Sequence, residues 1–323
     1  MREFVAALLL PAAFLGADDP TVELTFQDPE IIESSGLAMV GDWIVTTNDS
    51  GDEGRLFVVD DSGETVGVTY WSAEPRDVEA LAPAGDDAVW VGDIGDNSGL
   101  RDSVRITEVP VGVGDREVDP PSYELVYPDG ARDAESLLVD PTDGRLYVAT
   151  KEVFGGLLYA VPEDLDPDRP NRLTEVGPVV SIATDAAFFP DGRHLVVRSY
   201  LSATVYGFPS LEPLADVDLP TQDQGEGIAV TPEGDLLLSS EGQGSEVLRV
   251  TLPDDVRATM AEPTPSPSAG STATPGDRPD TESREGKELP ETTEVNRSPW
   301  PWFLGGFVGL AMIMVLMRSL RRR

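Results

Sequence analysis

The chain has 323 residues, with 59 acidic against 23 basic side chains and a formal net charge of −36. So acidic a surface repels phosphate backbones and anionic headgroups, which excludes nucleic acid as a partner and suits cations. Cysteine is absent, so disulfides and thiol catalysis are excluded, and a folded domain of this chain has to rely on a sizeable core.

The N-terminus opens with Arg2, an apolar stretch over residues 4–15 that is too short to span a bilayer as a helix, and the small pair Gly16-Ala17 before Asp18-Asp19-Pro20. That layout predicts a secretory signal peptide over residues 1–17, with an uncleaved anchor as the alternative.

A repeat follows. Five segments begin with a polar or acidic residue and a short apolar run: Ser35-Gly-Leu-Ala, Glu79-Ala-Leu-Ala, Glu135-Ser-Leu-Leu, Asp185-Ala-Ala-Phe and Glu226-Gly-Ile-Ala. The intervals between the starts are 44, 56, 50 and 41 residues. Each start leads to an Asp/Glu/Gly turn and then to a second run: WIVTT, AVWVG, RLYVAT, HLVVRS and DLLLSS. A third run and a weaker fourth complete most units. Such β-branched and aromatic runs, bounded by Gly, Pro and Asp, read as strands. Four short strands at this period predict the blades of a β-propeller over residues 21–253. The last unit lacks a fourth strand, and the orphan run Thr21–Phe26 (TVELTF) precedes the first unit. The expectation is an all-β propeller of five four-stranded blades, closed by the N-terminal strand. A sixth, irregular blade inside a long loop is the alternative.

Residues 254–299 are rich in Pro, Ser, Thr and acids and nearly free of large apolar side chains, which predicts an extended stalk. Residues 300–317 (WPWFLGGFVGLAMIMVLM) carry no charge. At a rise of about 1.5 Å per residue they would cover the ~30 Å hydrocarbon core as one transmembrane helix. Trp300 and Trp302 suit the headgroup layer, and Arg318, Arg321, Arg322 and Arg323 form a basic tail over residues 318–323. The basic flank places that tail in the cytoplasm and the propeller outside a cell membrane crossed once.

Two groups of residues are candidates for chemistry. Glu79, Glu135, Asp185 and Glu226 stand just before their first strands, supplemented by Asp77 and Asp133 two residues upstream of Glu79 and Glu135. First strands line a propeller's channel, so these carboxylates are expected as a ring around one mouth of it. Carboxylates gathered there repel unless a proton or cation relieves them, and hard oxygen ligands favour Ca²⁺. Hydrogen bonding to backbone, Arg76 or Arg132 is the structural alternative. The second group is the loop pattern D-x-G-D after the second strand, with Asp49 and Asp52 in one unit and Asp93 and Asp96 in the next. Alternating Asp and Gly wraps a cation or simply makes a turn. His194, the only histidine, is expected as a solvated turn residue.

The unit of acid, short apolar strand, polar turn and aromatic-bearing strand resembles that of bacterial exported β-propeller proteins with degenerate WD-type repeats. It is also similar to the phytase-like and SdiA-regulated propellers. The sequence expectation is a cell-surface binding or scaffolding module stabilised by a cation, with an extracellular protein or small ligand as partner. The alternative is a cation-dependent hydrolase of phosphoesterase or lactonase type at the channel mouth, with Lys151 or Arg198 as the positive group.

Overall fold

The computed structural model describes residues 20–49 and 51–261. Strand β1 (Thr21–Thr25) comes first. Blade one is β2 (Ser34–Val40), β3 (Trp43–Asn48), β4 (Arg55–Val59) and β5 (Thr65–Trp71). Blade two is β6 (Val78–Pro83), β7 (Ala88–Asp93), β8 (Val104–Pro110) and, after the short β9 (Arg116–Val118), β10 (Ser122–Val126). Blade three is β11 (Ala134–Val139), β12 (Leu146–Thr150), β13 (Gly156–Ala160) and, after β14 (Asn171–Arg172), β15 (Thr174–Val179). Blade four is β16 (Asp185–Phe188), β17 (His194–Arg198), β18 (Ser202–Gly207) and β19 (Glu212–Asp218). Blade five is β20 (Gly225–Val230), β21 (Leu236–Ser240) and β22 (Glu246–Val250).

Within each blade, successive strands pair antiparallel. The fifth blade is completed by β1, which pairs with β22 from Thr21↔Arg249 to Thr25↔Glu246. Glu23 and Arg249 add an ion pair of 2.7 Å across that seam. Five blades and closure by the N-terminal strand are therefore as the repeat predicted. The first strands touch in the cycle β2, β6, β11, β16, β20 and back to β2, which leaves no place for a sixth blade. Two short strands latch neighbouring blades together. Strand β9 pairs parallel with β5, and β14 pairs parallel with β10.

The core lies between blades. Among the described residues there are five apolar clusters, one at each blade interface. Strand alternation feeds two of them at once: Leu56 and Val58 face blade two, while Phe57 and Val59 face blade five. Each full burial of such a side chain contributes ~1.5–3 kcal/mol. A blade is thus held by both neighbours, and the fold depends on the ring being shut.

One boundary differs from the expectation. Helix α1 (Asp254–Ala261) occupies the first residues assigned to the stalk, so the folded region runs past 253. Val256 and Met260, one turn apart, pack on the blade four–five cluster. Arg257 bonds the Leu252 carbonyl and Asp235, at 3.1 and 2.7 Å, and Asp254 and Asp255 favour the positive end of the helix. With only two apolar contacts, the helix carries almost no periodic signal. Among the described residues no helix is long and apolar enough to cross a membrane. The expected signal peptide (1–17), the rest of the stalk, the transmembrane segment (300–317) and the tail (318–323) lie outside the described residues.

Candidate functional site: an acidic channel mouth

Strand pairing fixes which residues are equivalent. Val139 pairs with Leu146, Phe188 with Leu195 and Val230 with Leu236. Counting back from those pairs, Ser35, Glu79, Glu135, Thr184 and Glu226 occupy one place in the five blades. In four blades the ladder shifts register there, and in blade four it does not. Ser35 and Thr184 behave alike: their hydroxyls donate to the backbone carbonyls of Glu79 and Glu226 in the next blade, both at 3.1 Å.

The expected ring is thereby corrected at one position. Asp185 stands one residue further along, in the row of Gly36, Ala80, Ser136 and Gly227, and points between blades. It is fully buried. It accepts the N–H of Ala186 and, across the interface, that of Ile228, both at 2.8 Å. Burial pushes its carboxyl well above the ordinary range. Arg198 lies beside it, also fully buried, and donates to the carbonyls of Gly227 and Ser239 and to the Gln222 amide oxygen. Burial lowers the guanidinium pKa to about 10, with Glu226 and Asp185 holding the charge on it.

The remaining three carboxylates do share the mouth. Burial, followed by the charges of Glu135, Asp49 and Asp77, pushes Glu79 up to about 10. Burial raises Glu135 to about 8 even though Lys151 pairs with it, and the second carboxylate oxygen of Glu135 is buried with no hydrogen-bond partner among the described residues. Burial lifts Glu226 to about 7. Burial also works against the Lys151 ammonium, but Glu135 outweighs it and holds the proton more tightly than usual. Lys151 sits 5.3 Å over the Tyr200 ring.

Among the described residues, one set of three carboxylates converges, at blades one and two. Asp49, at the end of β3, and Asp77 and Glu79, flanking the start of β6, offer one oxygen each, and the three oxygens lie within 4.8 Å of one another. Burial and the charges of Asp49 and Asp133 raise Asp77. The Ser35 hydroxyl reaches Glu79 at 3.2 Å. Gly95 faces the set: a Cβ there would stand 2.5 Å from Asp77 Oδ2 and 2.7 Å from Glu79 Oε1. Its φ is not of the left-handed kind, so closeness to the two carboxylates, and not a turn, requires glycine at this place. A recess of about 10 Å³, the size of a single water, opens beside Asp49 and Asp77.

The other candidates are used locally. Asp52 accepts from Asn48 at 2.6 Å and from Arg55 at 2.9 Å. Asp93 pairs with Arg101 at 2.8 Å and receives the N–H groups of Arg76 and Asp77. Asp96 takes the N–H groups of Leu100 and Arg101 at 3.0 and 2.8 Å. These three aspartates therefore shape their own loops, and only Asp49 of the D-x-G-D pattern reaches the cluster. Asp133 accepts the Asp96 N–H at 2.8 Å, and burial raises it. His194 differs from expectation: it is buried at the start of β17, with Nδ1 2.7 Å from Asp191. Ser35 was placed at the mouth by the sequence repeat, whereas Thr184 and Gly95 were not singled out; for Thr184 the structural repeat position was the signal.

No family model matches the chain, and no curated protein matches it. What the chain itself shows is a five-blade β-propeller architecture.

Proposed function

We propose that this chain is an exported, membrane-tethered binding module whose acidic mouth takes Ca²⁺ between blades one and two. The observation that carries the reading is the convergence of Asp49, Asp77 and Glu79 oxygens within 4.8 Å. Carboxylates that close cannot all ionise unrelieved, and burial together with the charges of Glu135, Asp49 and Asp77 pushes Glu79 up to about 10. The donor set is all oxygen, which suits Ca²⁺ over softer metals. Asp49, Asp77 and Glu79 would hold the ion, with Ser35 orienting Glu79. Acting across a blade interface, the ion would stabilise the ring and present a charged platform to a partner.

A hydrolase has one observation in its favour, the Glu226 carboxyl poised at about 7. Against it, Lys151 is already engaged by Glu135. The test is the melting temperature of the full-length protein. At a hundredfold excess over its dissociation constant, Ca²⁺ should stabilise by about 2.7 kcal/mol, a rise of roughly 5–10 °C for a domain of this size. Chelation should reverse the rise, and Glu79→Gln should lose most of the response. An unchanged melting temperature would remove the cation. Turnover of a phosphomonoester or a lactone, lost in Glu226→Gln, would move the reading to the hydrolase.

A further inference from the structure

The channel has a second end. Two residues past the mouth, Leu37, Leu81, Leu137, Ala186 and Ile228 form a layer in which no side chain is more than 2% exposed. These five residues, with the rest of the first strands and the turns that follow them, line an open cavity of about 480 Å³ on the face made by the turns between first and second strands. None of the mouth carboxylates lines it.

We propose that this well is a binding site for an uncharged, predominantly apolar small molecule carrying one or two hydrogen-bonding groups. Its volume lies within the ~300–1,000 Å³ usual for ligand pockets. Its walls are aliphatic and aromatic, and Met39, Val139, Ala187 and Val230 remain partly exposed in it. Apolar surface gathered in a concavity from five separate blades is unlike the single exposed hydrophobic residues scattered over ordinary surfaces. Blade four widens the well. Ala186 takes the place that Leu37, Leu81, Leu137 and Ile228 fill with branched side chains.

The ligand's polarity follows from two observations. Each first strand is the end member of its sheet, so one backbone edge is paired with no other strand and lies along the channel. Those N–H and C=O groups offer hydrogen bonds to a ligand that has a few of its own. Among the described residues the one charged lining residue is Asp86, on a chain of net charge −36. An anion is repelled there, and a cation finds no partner deeper in.

The inference does not rest on the cation, and its test keeps the two apart. The full-length protein in lipid nanodiscs is titrated with N-phenyl-1-naphthylamine, an uncharged probe, and with its anionic relative 1-anilinonaphthalene-8-sulfonate, with empty nanodiscs as the blank. The well should take up the uncharged probe at one saturable site per chain and bind the sulfonate at least tenfold more weakly. Ala187→Phe and Val139→Phe, on different blades, should each weaken uptake at least tenfold with the far-UV spectrum unchanged, while Glu79→Gln leaves it as it was. Uptake no greater than the blank, equal binding of the sulfonate, or uptake untouched by both filling variants would overturn the proposal. So would self-association of the parent chain, abolished by Ala187→Phe without any probe uptake, which would make the well an interface between two copies.

Discussion

The acidic mouth and the apolar well are built on the same five strands, two residues apart, yet they solve opposite problems. At the mouth the repeat position carries Ser35, Glu79, Glu135, Thr184 and Glu226. Two residues further along the same strands it carries only leucine, isoleucine and alanine. Burial pushes Glu79, Glu135 and Glu226 to about 10, 8 and 7. The five apolar residues two positions further along line the well. One strand register therefore yields a cation-seeking end and a neutral, apolar end.

The largest expected effect lies between blades four and five, where Arg198 is fully buried. Arg198→Met should cost about 1–3 kcal/mol for each of the two backbone carbonyls, Gly227 and Ser239, left without a donor. Denaturant unfolding measures it. A loss under about 1 kcal/mol would mean that those carbonyls do not depend on the guanidinium. A smaller effect sharpens the contrast between the ends. The three glutamates have folded-state pKa values above their unfolded values, so the native state binds more protons between pH ~4.5 and the raised values. Their contribution is full below pH ~4.5 and is lost as pH rises through about 7, 8 and 10. Calcium-free protein should accordingly melt at progressively lower temperature from pH 5 to pH 9. Glu79→Gln should flatten the upper part of that slope, and Ala187→Phe, in the well, should leave it unchanged.

The sequence made the blades legible because each first strand follows a repeated polar start and each turn carries Gly, Asp or Glu at a fixed offset. The closing strand was legible as a consequence, since the last unit was one strand short and TVELTF was left over. Asp185 misled because its side-chain type matched the glutamates while blade four lacks the register shift that the others have at the start of their first strand. Thr184 in fact holds the equivalent place, and a single-residue slip turns a strand residue to the other face. The D-x-G-D pattern was readable as a loop but not as a site. Which oxygens turn inward depends on Arg55 and Arg101, whose reach is a tertiary matter. The role of Gly95 was hidden for a similar reason: closeness to Asp77 and Glu79 excludes a side chain, and nothing local shows it. The well left a faint trace in the recurring Leu-Ala after the acid, which reads equally as plain core.

The central claim is that Asp49, Asp77 and Glu79 form a cation site at the mouth. Crystals of the protein grown with Ca²⁺, or with a lanthanide in its place, test it most directly through the anomalous difference map. The account predicts one strong peak about 2.3–2.6 Å from oxygens of all three residues, absent in Glu79→Gln. A map with no peak there, or with its strongest peak at the exposed turn acids, would contradict it.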